Sequence, residues 1–336
     1  MHILNLKNAK KSSWDQYFGS KDKCDYIQNG TVLFDNSGIN NYYVLLCFYK
    51  ECKETGAICI QRTNKVCTLL EETVFTNCSS TTEYGGGSVY YNCQADGEFV
   101  QHRTCYYASI AEQAMAFAQA AKQYLSNKNY AIEVSVLKCG ENEEKGSYTF
   151  GISFGDICFD NNNITNNKCN QYSSITIGLL GNSGTYNFST FRENAQIESF
   201  SLLFSSSDYS LTHTVSYCNI IGNKCGADKN QVLFYCISKT NLDHCIFLNN
   251  TAKYMFGQDI DGYNSTISDS YVDSNSTTGS GTVIFKNIKE GYDFNTFTHI
   301  FNENCSIVSH RIISLKSIFL SKFAKTATAG LFSRKV

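Results

Sequence analysis

Proline is missing from all 336 residues of this chain. Every residue therefore keeps a backbone N–H that can join a strand ladder, which suits an architecture of stacked β-strands. A compositional drift toward Asn, Ser and Thr explains the absence equally well. Charged residues are scarce at 17%, whereas aromatic residues reach 14%. Because intrinsic disorder goes with low hydrophobicity and high charge, this composition predicts a folded chain.

Other absences narrow the function. The formal net charge is −2 and the body of the chain has no basic stripe interleaved with aromatic residues, which argues against a nucleic-acid partner. No Cys-x-x-Cys pair occurs, which argues against a structural zinc site, and we expect no cofactor. The glycines at 85–87 precede a β-rich run rather than a helix, so they cannot offer helix amides to a phosphate.

Cysteine, by contrast, is abundant, with 16 residues spread along the chain. Many lie within β-rich runs, where cysteine behaves as a small hydrophobic residue. Cys218 and Cys245 occupy one slot of neighbouring repeats, where parallel side chains fit disulfide geometry poorly. We expect mostly unbridged core cysteines, with a few bridges at turns such as Cys47 with Cys52.

The main feature of the sequence is a repeat in which a bulky apolar residue is followed three places later by Asn. It occurs five times in order, as Phe191/Asn194, Ile220/Asn223, Phe247/Asn250, Val272/Asn275 and Phe301/Asn304. Subtracting consecutive Asn numbers gives steps of 29, 27, 25 and 29 residues. A period in the twenties with fixed slots is typical of a solenoid. The β-branched and aromatic residues favour strands, so we interpret each step as one rung of a parallel β-helix.

Each slot has a physical role in such a coil. Equivalent residues of successive rungs stack about 4.8 Å apart, so the apolar slot becomes a buried column. The Asn slot becomes a ladder of hydrogen-bonded side-chain amides. Asn also tolerates the left-handed backbone of a corner. A second slot, five places before each Asn, is filled by Ser189, Cys218, Cys245, Ser270 and His299.

Glycine-containing turns alternate with this repeat and lead into β-rich runs, as at Gly56 and Gly281. Glycine permits a tight corner and the run supplies the next face of the coil. A fainter copy of the repeat precedes the clear ones, with Phe159 and Asn162 in its two slots.

Phe-x-x-Asn copies that alternate with glycine turns resemble the polymorphic outer-membrane-protein-like (Pmp-like) repeats of adhesin passenger domains and Cys-rich protozoan surface proteins. The matching pairs are Phe191/Asn194, Phe247/Asn250 and Phe301/Asn304, with glycine turns at Gly56 and at 85–87. Ile220 and Val272 replace Phe, and no Gly-Gly-Ala-Ile motif is intact. The resemblance covers roughly residues 50–305.

What the resemblance implies is a right-handed, pectin-lyase-like β-helix and a non-enzymatic, adhesin-like role. Host-cell or extracellular glycans or proteins are the implied partners, bound along a face of the solenoid. A cell-surface or extracellular location is expected if the chain belongs to a longer protein, since it shows no signal peptide or membrane span of its own. Its Asn-x-Ser/Thr sequons, such as Asn29 and Asn264, are then candidate glycosylation sites.

The expected organisation has three parts. Residues 1–23 form a polar N-terminal segment, in which Trp14, Tyr17 and Phe18 are expected to cap the first rung. Residues 24–305 form the β-helix. Residues 306–336 form a basic amphipathic tail that either caps the coil or contacts an anionic membrane surface.

One stretch departs from the β pattern. Within residues 109–125, apolar residues recur at helical spacing from Ile110 through Phe117, and alanine is the best helix former. The pattern predicts a short helix inserted in the solenoid, with a degenerate rung as the alternative.

The competing function is a polysaccharide lyase or glycoside hydrolase on the same scaffold. Asp259, Asp261, Asp269 and Asp273 lie close in sequence, and a carboxylate pair can act as general acid and base on a glycoside. Turn aspartates serve backbone needs in many solenoids, however. A calcium loop starting at Asp259 lacks its twelfth-position Glu, since Ser270 stands there. We therefore expect a protein without catalytic or metal-binding residues.

Overall fold

The computed structural model describes residues 13–19, 24–38, 40–82, 85–93, 97–121, 127–179, 184–226, 231–292 and 305. Three long sheets dominate this part of the chain, with strands numbered here in chain order. An eleven-stranded sheet contains β1 Cys24–Ile27, β3 Asn41–Leu45, β6 Cys67–Glu71, β10 Glu98–His102, β14 Lys128–Ile132, β17 Asp156–Asp160, β20 Gly184–Asn187, β24 Thr212–Ser216, β28 Lys239–Asp243, β31 Asn264–Ser268 and β34 Thr282–Lys286.

The other two long sheets use the strands in between. The nine-stranded sheet contains β4 Phe48–Lys50, β7 Val74–Thr76, β11 Cys105–Tyr107, β15 Ser135–Leu137, β18 Asn163–Thr165, β21 Thr190–Arg192, β25 Asn219–Ile221, β29 Ile246–Leu248 and β32 Tyr271–Val272. The ten-stranded sheet contains β2 Leu33–Asp35, β5 Ile58–Arg62, β9 Val89–Cys93, β13 Ala114–Ala121, β16 Tyr148–Ser153, β19 Ile175–Leu179, β23 Phe200–Ser206, β27 Val232–Cys236, β30 Tyr254–Gln258 and β33 Thr277–Thr278. Two small sheets pair β8 Ser79–Ser80 with β12 Ile110–Ala111, and β22 Ala195–Gln196 with β26 Lys224–Cys225.

Successive strands of each long sheet come from successive rungs and pair in parallel. The predicted apolar slot forms one file, in which Phe191 pairs with Ile220, Ile220 with Phe247, and Phe247 with Val272. The first three side chains are fully buried, and Val272 packs half-buried against the same core. The predicted parallel β-helix is therefore confirmed.

Aromatic rings extend this file toward the N-terminus. Tyr49, Phe75 and Tyr106 occupy the same register on earlier rungs, and their rings stack with centroids 5.0 Å apart at each step. Parallel coiling places equivalent side chains directly above one another, which brings such rings within stacking distance. A column of stacked side chains thus fills the interior of the coil.

The helix predicted within residues 109–125 is wrong. Ile110–Ala111 forms strand β12 and Ala114–Ala121 forms strand β13. Strand β13 pairs with β9 on one side and β16 on the other, and its register slips between Ala114 and Phe117. Two neighbouring strands offer hydrogen bonds along the whole segment, which outweighs the few tenths of a kcal/mol per residue that alanine gains in a helix.

The corner after the eleven-stranded sheet is left-handed at residues other than glycine. After the strands of the eleven-stranded sheet, φ lies between 47° and 54° at Leu46, Glu72, Arg103, Glu133, Asn161, Phe188, Tyr217, His244, Asp269 and Asn287. At the next corner, the left-handed residue is the one before Asn194, Asn223 and Asn250, namely Glu193, Gly222 and Asn249, and not the Asn itself. The N–H of Glu193 donates to the carbonyl of Ile221 on the following rung at 2.9 Å, so the turned residue prolongs the strand ladder.

Residues 13–18 form a short helix. Trp14 and Phe18 are buried against Tyr43, Leu69 and Val100, which lie on the outer face of the eleven-stranded sheet. The aromatic residues predicted to cap the first rung therefore cover the side of the coil across several rungs.

Candidate functional site

The structure brings Asn194, Asn223 and Asn250 together as a ladder. Asn194 Nδ2 lies 3.1 Å from Asn223 Oδ1, and Asn223 Nδ2 lies 3.0 Å from Asn250 Oδ1. Each Oδ1 also accepts the backbone N–H of the Asn one rung earlier, at 3.1 Å and 3.0 Å. Asn194 and Asn223 are fully buried. Their backbone N–H groups lie at a corner, outside the strands, and the side-chain ladder supplies the hydrogen-bond acceptors that they need there.

The ladder has a member that the sequence interpretation missed. Asn167 Nδ2 donates to Asn194 Oδ1 at 3.0 Å and to the carbonyl of Val136 at 3.0 Å. Ile164 precedes Asn167 by three places, so the pair fits the same pattern. The fainter copy had been placed at Asn162, which lies instead in the second slot. Its backbone N–H donates to Ser189 Oγ, the second-slot side chain of the next rung, at 3.0 Å.

The C-terminal end of the predicted Asn ladder does not follow the prediction. Asn275 is exposed, although Val272 three places earlier packs against the core. Phe301 and Asn304 lie outside the described residues, as does His299 of the second slot. Cys305 forms a disulfide with Cys105 of β11, and the two Cα atoms are 5.8 Å apart. The other 14 cysteines form no disulfide, so the bridge predicted between Cys47 and Cys52 is absent.

A buried histidine lies inside the coil. His213 is fully buried, with Nδ1 3.0 Å from the Tyr186 hydroxyl and Nε2 3.1 Å from the Ser205 carbonyl. Nε2–H therefore donates to Ser205 and Nδ1 accepts from Tyr186, which is the pattern of a neutral ring. Burial lowers the pKa of His213 to about 3. This histidine is a structural core residue.

The eleven-stranded sheet carries a charged network on its outer face. His102 Nδ1 lies 3.5 Å from Glu71 and its Nε2 lies 3.9 Å from Glu133, while Arg103 Nε donates to Glu133 at 2.8 Å. Burial acts to raise the pKa of Glu71, but hydrogen bonds with His102 and Tyr43 outweigh it and bring that pKa below its ordinary value. Opposite charges neutralise one another here, so the network resembles an ion-pair cluster that holds neighbouring rungs together.

The four aspartates considered for catalysis are distributed over different corners of the coil. Asp269 follows β31 and binds Lys289 Nζ at 2.8 Å, whereas Asp273 follows β32 and accepts the backbone N–H of Asn249. Asp259 follows β30 and interacts with the Tyr235 hydroxyl. Asp261 lies in the turn before β31. Three of the four thus serve local partners, and no two of them face each other across a shared site in the described contacts.

The strands of the ten-stranded sheet expose no charged residue, whereas those of the nine-stranded sheet expose two, Lys50 and Arg192. The ten-stranded sheet contains only two charged residues, Asp35 and Arg62, which pair with each other in the interior. The strands of the eleven-stranded sheet, by contrast, carry Asp25, Glu71, Glu98, Lys128, Asp156, Asp160, Lys239, Asp243 and Lys286. We call the outer side of the ten-stranded sheet the uncharged face.

Register places three files along the uncharged face. The central file contains Phe34, Cys59, Tyr90, Ala118, Gly151, Thr176, Leu203, Tyr235, Gly257 and Thr278. A second file contains Gln61, Asn92, Ala120, Ser153, Gly178 and Ser205. The third contains Tyr148, Tyr172, Phe200, Val232 and Tyr254. We call its four rings, together with the Tyr235 ring of the central file that stacks on Phe200, the aromatic row, which spans the rungs from β16 to β30. Tyr148 pairs with Tyr172, and Phe200 aligns with Tyr254 through Val232.

Two rings of the aromatic row lie over glycines. A Cβ on Gly151 would meet Tyr148 Cε2 at 2.5 Å, and a Cβ on Gly257 would meet Tyr235 Cδ2 at 2.4 Å. Only glycine leaves room for a ring to rest against the strand in this way. The Phe200 ring stacks on Tyr235 with centroids 3.7 Å apart, and Tyr172 lies 6.1 Å from Phe200. All five rings are half-buried, so they remain accessible on the surface.

Comparison with known proteins gave no match. No family model, curated protein or solved structure matches this chain. Among the described residues, no group of three or more His, Cys, Asp or Glu side chains could hold a metal ion. Within the same part of the chain, no helix is long and apolar enough to cross a membrane. The basic tail predicted to contact a membrane, residues 306–336, lies outside the described residues.

Proposed function

We propose that this chain is a non-enzymatic, adhesin-like interaction protein that binds its partner along the uncharged face. The single observation that supports this proposal is the absence of exposed charge from ten consecutive strands of one sheet. The surfaces of soluble proteins usually carry charged residues of both signs, which discourage unwanted association. A face without exposed charge over its full length is suited to a long, shallow interface with a partner molecule.

Cell-surface or extracellular presentation belongs to the same proposal. An adhesin needs an extended, rigid surface, and the stacked interior files of this coil supply rigidity. Asn29 and Asn264, both outside the ten-stranded sheet, are compatible with glycosylation that leaves the uncharged face clear. Glycans or proteins of another cell are the proposed partners.

The test is adhesion of beads coated with the purified chain to cell monolayers. Thr176→Lys places a charge in the central file of the uncharged face, and Thr214→Lys places the same charge on the outer face of the eleven-stranded sheet. Both threonines are half-buried strand residues, so the pair is matched. We expect Thr176→Lys to abolish wild-type adhesion and Thr214→Lys to preserve it. Equal adhesion by both variants, or none by the wild type, would refute the proposal.

A further inference from the structure

We infer that the uncharged face is a binding site for an extended, neutral glycan, which lies along the aromatic row. This inference rests on the proposed function and names the partner class.

The aromatic row runs along the coil axis. Its five rings sit on rungs from β16 to β30, and four steps of about 4.8 Å give a length of about 19 Å. A ligand that contacts all the rings must therefore be elongated and must lie parallel to the axis. An extended oligosaccharide of several sugars has this form, whereas a compact small molecule reaches only one or two rings.

The rings present the apolar surface that a sugar requires. Tyr148 rests over Gly151 and Tyr235 over Gly257, so glycine holds two tyrosines close to the sheet. Hexose rings carry C–H groups on their broad sides, and these pack against aromatic faces as other apolar groups do. Tyr148, Tyr172 and Tyr254 add hydroxyls that can bond the sugar hydroxyls at the ligand's edge, whereas the Tyr235 hydroxyl already interacts with Asp259.

Small polar side chains share the rungs of the aromatic row. Ser153 and Ser205 stand in the second file, and Thr176 stands in the central file. Ligand sites of this kind combine aromatic surface with a few neutral donors and acceptors. Sugar hydroxyls both donate and accept, so hydroxyl side chains suit them without any need for charge.

The lack of charge selects against other partners. Carboxylated or sulfated glycans, phospholipid headgroups and nucleic acids bind through several Lys or Arg side chains, and the strands of this face expose none. Lys253, whose Nζ lies 5.4 Å from the centroid of the Tyr254 ring, is a single cation at the end of the row. A second copy of the chain is less suited because the centre of a stable homodimer interface is rich in large apolar residues. Leu203 is the one large aliphatic residue in the central file among the described strands.

Isothermal titration with neutral hexasaccharides tests the inference. The probes are cellohexaose, chitohexaose, laminarihexaose and mannohexaose, with hexagalacturonate as the anionic comparison. We expect at least one neutral probe to bind, and Tyr172→Ala to weaken it roughly tenfold, which corresponds to about 1.4 kcal/mol. Tyr217→Ala is the control, because Tyr217 is a half-buried ring stacked between Phe188 and His244 at a corner away from this sheet. Thermal unfolding verifies that each variant is folded, and Thr176→Glu gives a second perturbation that removes no ring.

Several results would overturn the inference. They are no binding of any neutral probe, equal binding of hexagalacturonate, or equal losses from Tyr172→Ala and Tyr217→Ala. A concentration-dependent dimer that Thr176→Lys disperses would assign the face to self-association instead. If bead adhesion still depends on Thr176 while no neutral glycan binds, the proposed function stands and only the partner class is wrong.

Discussion

Replacing one ladder amide should destabilise the coil far more than replacing its counterpart at the exposed end. Asn194→Ala removes the acceptor of the Asn167 N–H, 3.0 Å away, and the donor to the Ile164 carbonyl, 2.9 Å away. Both groups lie at a fully buried corner. A buried polar group left without a partner costs about 1–3 kcal/mol, so losing two partners lowers the free energy of unfolding by about 2–6 kcal/mol.

Asn275→Ala is the matched control, because Asn275 fills the same repeat slot at an exposed position. Exposed substitutions of this kind usually change stability by about 0.5 kcal/mol or less. Urea unfolding followed by far-ultraviolet circular dichroism measures both variants. Equal losses for the two, or a loss below about 1 kcal/mol for Asn194→Ala, would show that the ladder does not stabilise the corner as described.

Three further outcomes follow from the core and the surface. The folded-state pKa of His213 lies near 3, below the ordinary 6.5. Its contribution to the free energy of unfolding is therefore complete above about pH 6.5 and falls as the pH drops toward 3. Between pH 7.5 and pH 5, the free energy of unfolding of the wild type should fall by about 2 kcal/mol more than that of His213→Gln, as measured by urea unfolding. Equal falls for the two proteins would contradict this. Alkylation of the native protein should modify Cys24 and Cys52 before buried cysteines such as Cys139, because burial raises the pKa of Cys139 to about 12. Mass spectrometry of the labelled peptides gives the order of modification, and labelling of all cysteines at one rate would contradict the prediction. Gly151→Ala should displace the Tyr148 ring and weaken glycan binding by titration with little change in thermal midpoint, and unchanged affinity would mean that this ring position is irrelevant.

The sequence predicted the parts of the fold that repeat by residue type. The file from Phe191 to Val272 could be found because a bulky residue and an Asn recur at a near-constant step. Asn167 could also have been found, since Ile164 precedes it by three places. It was missed because Asn162 satisfies the same short pattern and occupies a different file.

Other features depend on contacts that no local pattern encodes. The alanine-rich strand β13 has helical spacing, and only the strands on either side make it extended. The Cys105–Cys305 bridge joins residues 200 positions apart. The uncharged face mixes Tyr, Gly, Thr and Ser in its files, so no single residue type recurs there, although the lack of charge in all ten strands is a signal that the sequence contains.

The central claim is that one continuous outer face runs along the coil with one residue of each rung in register. Electron paramagnetic resonance between spin labels at positions 176 and 278, attached through a genetically encoded keto amino acid to avoid the native thiols, measures this directly. Thr176 and Thr278 are 102 residues apart in sequence (278 − 176) but four rungs apart in the central file. The account predicts a narrow distribution near about 20 Å, from four steps of about 4.8 Å. A distribution centred beyond about 35 Å, or one without a defined maximum, would contradict the stacked register.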